Sequence, residues 1–493
     1  MDEYWNEALN EISDEHLAEA IKPKRRISWF SVLTAGLAAA MLLVLISPLA
    51  LLTLFFGGMG ASAPGSNVPH WDNYQGISGL VAAAEYPEMV SYPSDPDGKR
   101  DDDQEHAAWK ASIKAQYNQP DGYGDNLTEF FVTSTPLFMD GATENAVCSP
   151  LNIYMAMAML AEITGGDSQE KLLEVLDADS LEALRTQAGQ LWNAHYRADG
   201  SMAVLLANSL WLDRGYTFNR NTAETVADRY YASVFQGDLG GASMNNALKA
   251  WLDVQTQGLL QEYSQAEGFT ADTALALAST VYFSAKWNDE FLAAENKEGV
   301  FHTPAGDVDA TYMTRTTQYQ YYYYGEDYGA INLRLGRSSY DYTMWLILPD
   351  EGYDPQEVLE SGHALGMILG AEEQQYKELK VHLSLPKFDI SAETDLREGL
   401  TALGLGDLFD PDTADFSSIL PDATGDYLSQ ANHAARVTVD EEGVTAAAYT
   451  LMTYYGAPAP KEEEIWFTLD RPFIFVITSH DNLPLFVGVV NEP

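Results

Sequence analysis

The chain has 493 residues, of which 46% are hydrophobic and 20% charged, a globular composition with room for one large domain plus appendages. Its 73 acidic and 27 basic residues leave a formal charge of −46, a field that repels nucleic acid and polyanions and attracts cationic partners. One cysteine, Cys148, excludes an internal disulfide, so stability must come from packing, and its apolar neighbours predict a buried, inert thiol.

Residues 1–21 read as a short acidic amphipathic helix with Trp5, Leu9, Ile12 and Ile21 on one stripe. Lys22, Lys24, Arg25 and Arg26 follow, and then Ile27 to Phe56 runs for 30 positions without a charge. That exceeds the roughly 20 apolar residues needed to cross a bilayer. The basic cluster ahead of it predicts a cytoplasmic segment 1–26, a transmembrane anchor 27–56 and export of everything after. Ala61-Ser62-Ala63 has the form of a signal-cleavage site, so secretion after cleavage is the alternative, although the apolar run is longer than a signal peptide needs. An anchored acidic domain without disulfides fits a bacterial cell surface.

Residues 57–125 carry Gly57-Gly58, Pro64-Gly65, Pro93, Pro96, Pro120 and the triplet Asp101-Asp102-Asp103, and read as an extracytoplasmic stalk with one short helix, Ala107 to Gln116. Asp95, Asp97, Asp101 and Asp103 lack the ordered spacing of a calcium loop. From 126 to 493 the pattern is that of a folded body. Leu151 to Ile163 is an apolar helix ended by Gly165-Gly166, and Asp167-Ser168-Gln169-Glu170 has capping-box form for the next. Ala203–Leu212, Thr273–Phe283, Tyr321–Tyr324, Tyr342–Leu348, Arg436–Val439, Ile465–Thr468 and Phe473–Ile477 read as strands. Helices dominate the first half and strands the second, an α+β arrangement.

No phosphate-binding loop, zinc-protease helix or nucleophile elbow is present in the sequence, and the nine histidines do not pair at metal-ligand spacing. An enzyme, a metal and a cofactor are therefore not expected.

Five stretches together resemble the serpin family. Asn145 to Ile153 is similar to its N-x-x-x-S-P-L-x-I motif, and Ser279 to Trp287 to its N-A-x-Y-F-K-G-x-W motif. Leu385-Pro386-Lys387-Phe388 and Ala414-Asp415-Phe416-Ser417 match two more, and Asp470-Arg471-Pro472-Phe473 through Phe486 to Pro493 resembles the family's ending. The resemblance implies a serpin domain over 126–493, with helices, three β-sheets and an exposed reactive loop. It further implies a monomeric suicide-substrate inhibitor. A serine-type peptidase attacks the loop, and the freed loop inserts into the central sheet before the acyl-enzyme can hydrolyse. A non-inhibitory serpin serving as a binding or carrier module is the alternative.

The resemblance places the hinge at Glu441, Glu442, Gly443, Val444, Thr445, Ala446, Ala447 and Ala448. Strand alternation can be tested on that stretch directly. Val444, Ala446, Ala448, Thr450 and Met452 fall on one face and are uncharged, as burial requires, and no proline lies between Glu441 and Tyr455. The resemblance also implies sheet-opening roles for Ser149, Pro150, Ser279, Trp287, Lys387 and His433, with Lys387 and Glu441 as an ion pair. Ser279 stands where the family has Asn, so the hydrogen bonding to His433 is expected to differ. Counting from the hinge as the family does gives Ala457 as the bait residue, followed by Pro458. Tyr455, followed by Gly456, is the second candidate, and Lys461 a distant third. The expected partner is an elastase-like or chymotrypsin-like peptidase.

Overall fold

The computed structural model describes residues 74, 76–93, 104–120, 122–124, 126–139, 144–260, 268–336, 341–422, 425–444 and 463–493. Contacts divide the chain into Met1–Pro64, outside those residues, and a body, Gly65–Pro493. The helix expected at 1–21 and the anchor expected at 27–56 therefore lie outside the described residues. Among the described residues no helix is long and apolar enough to cross a membrane.

The helices of the first half are α1 (Gln104–Tyr117), α2 (Leu127–Ser134), α3 (Pro150–Ile163), α4 (Gly166–Val175), α5 (Leu181–His195), α6 (Arg220–Tyr230) and α7 (Ala242–Gln255). Every residue of α3 is buried, because it packs against both layers of sheet. Pro150 opens α3, and the Ser149 hydroxyl accepts the Asn152 N–H, satisfying one of the four amides a helix start leaves free. The capping box expected at Asp167 does not form. Instead α4 begins at Gly166, and Asp415 from a distant loop serves that end, its carbonyl accepting the Gly165 N–H and its own N–H bonding to the Ser168 hydroxyl.

The strands are β1 (Leu80–Ala82), β2 (Ala146–Cys148), β3 (Arg197–Ala198), β4 (Ala203–Asp213), β5 (Ala232–Gly237), β6 (Leu275–Lys286), β7 (Lys297–Thr303), β8 (Gly306–Tyr324), β9 (Tyr328–Arg334), β10 (Thr343–Pro349), β11 (Tyr376–Pro386), β12 (Phe388–Asp395), β13 (Leu428–Val439), β14 (Gly443–Val444), β15 (Glu464–Thr468), β16 (Phe473–Thr478) and β17 (Pro484–Val490). One sheet has the order β1-β5-β4-β6-β14-β13-β12, with β3 on β4; the other runs β15-β11-β8-β9-β10-β16-β17-β2, with β7 on β8. Three sheets were expected, and the described strands form two. The 19-residue β8 pairs with β7 and β11 along most of its length and with β9 at its end, so hydrogen bonds join what would be two sheets into one. β16 and β17 are buried throughout, consistent with their unbroken apolar runs. Cys148 is buried at the end of β2, and burial pushes its thiol up to about 12.

The stalk expected over 57–125 is corrected by its described part, which is folded onto the body. β1 extends the first sheet by pairing antiparallel with β5, Leu80 opposite Phe235. Tyr86 stacks on Trp192 and Tyr196 with ring centroids 5.3 and 5.9 Å away. Trp109, Ile113 and Tyr117 of α1, spaced four apart, bury one stripe. Trp109 donates to Asp199 (2.7 Å), and Arg197, 1% exposed, holds Asp199 (2.6 Å), Asp341 (3.3 Å) and the Tyr117 hydroxyl (3.3 Å). Proline, glycine and acidic residues punctuate the stretch, but a handful of aromatic side chains carries enough apolar surface to fold its described part down.

Candidate functional site

The informative feature of the first sheet is the seam between β6 and β13. At its lower end the two strands pair in parallel, Leu275 opposite Leu428 and then, after a one-residue shift in register, Ala276 opposite Gln430 through Thr280 opposite Ala434. Beyond that rung the described residues show no further direct pairing. At the top, Gly443 and Val444 of β14 lie between the strands instead, Gly443 opposite Lys286 and Val444 opposite both Ala285 and Val439. β14 is antiparallel to both neighbours. A strand continuing from it would exchange one parallel ladder for two antiparallel ones, which are slightly stronger per residue.

The turn into β14 is built from side chains named above. Asp440 accepts the Glu442 and Gly443 N–H groups at 2.9 and 3.2 Å. The Trp287 indole donates to the Asp440 carbonyl (2.8 Å), and the Trp287 and Phe291 backbones donate to Glu442 and Glu441 (both 3.1 Å). Lys387 lies 2.6 Å from Glu441, whose carboxylate also accepts from Asn296. Burial opposes ionisation of Glu441, but the Lys387 ammonium and the Asn296 amide outweigh it and hold the carboxyl below its ordinary range. Gly443 is required by close approach. A Cβ there would lie 2.3 Å from the Ala285 carbonyl oxygen.

The polar cluster sits where direct pairing stops. His433 is fully buried, and burial pushes it down to about 4, so the ring is neutral. The Ser149 N–H donates to Nε2 (3.0 Å), which places the remaining proton on Nδ1, facing the Ser279 hydroxyl at 3.1 Å. Asn152 donates to that same hydroxyl (2.9 Å) and to the Thr280 carbonyl (2.6 Å), while Asn208 donates to the Asn152 amide oxygen (3.0 Å). The Thr280 hydroxyl reaches across the seam to the Ala434 carbonyl (3.0 Å). Parting β6 from β13 here means breaking a buried hydrogen-bonded network rather than an apolar contact. A family model described as Serpin (serine protease inhibitor) matches residues 133–493.

The chain belongs to the serpin family. It is 30% identical to a putative serpin-Z5 of Oryza sativa subsp. japonica over 383 residues, covering 71% of this chain and 85% of that protein. An uncharacterised serpin-like protein of Thermococcus kodakarensis is 30% identical over 367 residues, covering 72% and 82%. Among solved structures, the thermophilic serpin tengpin in its native state aligns with TM-score 0.68 and 25% identity over 76% of this chain and 95% of that one. Serpins are generally protease inhibitors rather than enzymes.

In this serpin the structure brings Ser149, Ser279 and His433 together at the seam, with Pro150 starting the helix beneath, and gathers Trp287, Lys387, Glu441, Glu442, Gly443 and Val444 at its top. Thr445, Ala446, Ala447 and Ala448, and the bait candidates Tyr455, Gly456, Ala457 and Pro458, lie outside the described residues. Sequence reasoning missed Asn152, Asn208, Thr280 and Asn296. Two carried a signal, since Asn152 and Asn208 are lone amides inside otherwise apolar runs, where a buried amide needs partners. The Asn152 amide supplies to Ser279 a donor that an asparagine at 279 would not need.

Proposed function

We propose that this serpin is a suicide-substrate inhibitor of elastase-like or chymotrypsin-like peptidases. The peptidase serine Oγ attacks the Ala457 carbonyl carbon, or that of Tyr455. The peptide bond to Pro458 or Gly456 breaks and the departing amine takes up a proton. The new acyl ester is carried away as the loop from Gly443 onward becomes a strand between β6 and β13. The carrying observation is the wedged β14. Val444, 1% exposed, already occupies the first rung of that strand, and the following alternate residues are uncharged. Lys461 is followed by Glu462-Glu463-Glu464, which disfavours trypsin-like enzymes. Residues 27–56 anchor the protein with its N-terminus in the cytoplasm and the serpin body outside, on a bacterial cell surface; the length of the uncharged run and the basic residues before it support this.

The test is incubation with elastase-, chymotrypsin- and trypsin-type enzymes, read on a denaturing gel and by mass spectrometry of the released loop peptide. A detergent-resistant adduct with the first two, cleavage after Ala457 or Tyr455, and a cleaved protein that melts well above the intact one are expected. Cleavage without an adduct or a rise in melting temperature rejects the trap. For the anchor, alkaline extraction should leave the full chain in the membrane pellet, and recovery in the soluble fraction rejects it.

A further inference from the structure

Arg436 lies on β13, two residues beyond Ala434, the last residue of the seam in direct pairing with β6. Alternation along the strand turns His433 toward Ser149 at the start of α3, and Arg436 to the opposite face of the sheet. Its guanidinium holds two partners there. Nε and Nη2 donate to the two carboxylate oxygens of Asp389 at 2.8 and 2.6 Å, and Nη1 donates to the Leu259 backbone carbonyl at 2.7 Å. The first partner belongs to the same half of the sheet, since β12 pairs with β13 from Phe388 to Asp395. The second does not. Leu259 is in the turn that follows α7, and α7 packs against β6, with Trp251 fully buried and Met244 seated against Gly237 of β5. Asn245 of α7 also holds both backbone groups of Phe269, on the return to β6, at 2.7 and 3.2 Å.

The guanidinium therefore spans the line along which β6 and β13 have to separate. Admitting a strand moves them apart by one strand spacing, about 4.8 Å, whereas a hydrogen bond of this kind is lost beyond roughly 3.2 Å. Neither end is free to follow. Asp389 occupies the rest of the guanidinium edge and is itself held by the Thr438 hydroxyl at 2.9 Å. The hydrogen bonds from Arg436 keep the Asp389 carboxyl below its ordinary range, so the pair stays charged. On the other side the turn is closed by its own bonds. Gly258 N–H donates to the Asp253 carbonyl (2.9 Å) and Leu259 N–H to the Thr256 carbonyl (3.0 Å), with Gln257 and Gly258 left-handed at φ 51° and 82°. The bond to Leu259 has to break before a strand is seated, and a charged donor on a carbonyl is one of the stronger bonds to lose.

We propose that Arg436 is a positioning residue for trapping. Aimed by Asp389, it fastens the turn after α7 across the seam, and release of the Leu259 carbonyl sets the rate at which the cut loop enters the sheet. The proposal rests on the inhibitory reading above and adds to it the residue that times insertion. Insertion competes with hydrolysis of the acyl-enzyme, so a slower release lets more enzyme escape. Arg436 thus acts on the fate of the acyl-enzyme and leaves the encounter with the peptidase unchanged.

The test uses the full chain carrying Asp272→Cys, an exposed position just ahead of β6, labelled with an acceptor dye; the buried Cys148 thiol stays unlabelled. Donor-labelled pancreatic elastase or chymotrypsin is mixed in, and stopped-flow energy transfer follows the enzyme as it is carried to that end of the sheet. The insertion rate, the inhibitor consumed per enzyme and the urea midpoint are compared for Arg436, Arg436→Met and Arg436→Lys. Arg436→Met is expected to speed insertion by about 5–20-fold without raising the inhibitor consumed. Arg436→Lys keeps the charge but cannot hold Asp389 through two nitrogens while reaching Leu259, and is expected to speed it by about 2–5-fold. Unchanged or slower insertion overturns the proposal, including the case where the urea midpoint falls, because the bond then only supports the fold. If Arg436→Met does not fold, Arg436→Lys decides by the same criterion. Adducts that form at a rate indifferent to Arg436 reject this inference alone. No adduct from the chain with Arg436 in place rejects the inhibitory reading, and this inference with it.

Discussion

At its outer edge the first sheet is closed. β1 covers β5, Tyr86, Trp192 and Tyr196 stack above the join, and Arg197 ties α1 to Asp199 and Asp341 with charges sealed from water. At the seam between β6 and β13 the same sheet is left unfinished, with direct pairing only up to Thr280 and Ala434 and a two-residue strand wedged at the top. The edge is bonded by aromatic area and a buried ion cluster. The seam is bonded by small side chains, hydroxyls, amides and one neutral histidine. A sheet that must admit a strand in one place has to resist movement elsewhere, and the difference between its two flanks locates where it can open.

The largest test of that contrast is Ala446→Arg. Val444 is already buried before cleavage, so the residue to change is the next one on its face, Ala446: a guanidinium there would become buried without a partner only as the loop enters, costing several kcal/mol, so trapping should fall by roughly 1000-fold while cleavage continues, read as adduct yield on denaturing gels. Arg197→Ala probes the other flank. Leaving Asp199 and Asp341 buried without their cation should cost about 3–5 kcal/mol in urea unfolding, with adduct yield per folded molecule unchanged. If Arg197→Ala abolished trapping as Ala446→Arg is expected to, the two flanks would be one unit and the contrast would be lost.

pH sharpens the comparison at the seam. The His433 value in the folded protein, about 4, lies below its unfolded value of 6.5, so its contribution is complete above pH 6.5 and is lost as pH falls toward 4. The drop amounts to about 3 kcal/mol at most. Subtracting the unfolding profile of His433→Gln from that of the unaltered protein should isolate this slope, because Asp481, raised to about 6 by burial, acts in the opposite direction in both. A flat difference profile between pH 6.5 and 4 would place a charged ring at the seam. The smallest effect belongs to Glu441→Gln. Its partner Lys387 is 38% exposed, so loss of the pair should cost only about 0.5–1 kcal/mol, seen as a slightly lower melting temperature that high salt largely removes.

Much of the seam was legible before any coordinates. Ser149, Ser279, His433, Lys387 and Glu441 were each named from motif position, and the uncharged alternation after Gly443 follows from strand periodicity alone. Long apolar runs such as Ala203–Leu212 and Phe473–Ile477 became strands within a residue or two of their expected ends, since a continuous apolar run bounded by turns has few other ways to be buried. The described part of 57–125 departs from the expected stalk because proline, glycine and acidic residues set the local pattern, while the energy that folds that part down lies in Tyr86, Trp109, Ile113 and Tyr117. The partners of Tyr86, Trp109 and Tyr117, namely Trp192 and Tyr196, Asp199, and Arg197, are 80 residues and more away in the chain.

By itself the sequence determined which residues can enter a sheet, that Ser149-Pro150 can open a helix, that no internal disulfide assists and that the chain is strongly acidic. These are local properties, set by side-chain periodicity, composition and charge. The tertiary structure alone decided that β8 joins strands into one sheet rather than two. It also decided that Asn152 completes the serine substitution at 279, and that Arg436 reaches the Leu259 carbonyl across the seam. Each of those depends on residues distant in the chain meeting across strands, where register, not composition, sets which groups come within bonding distance.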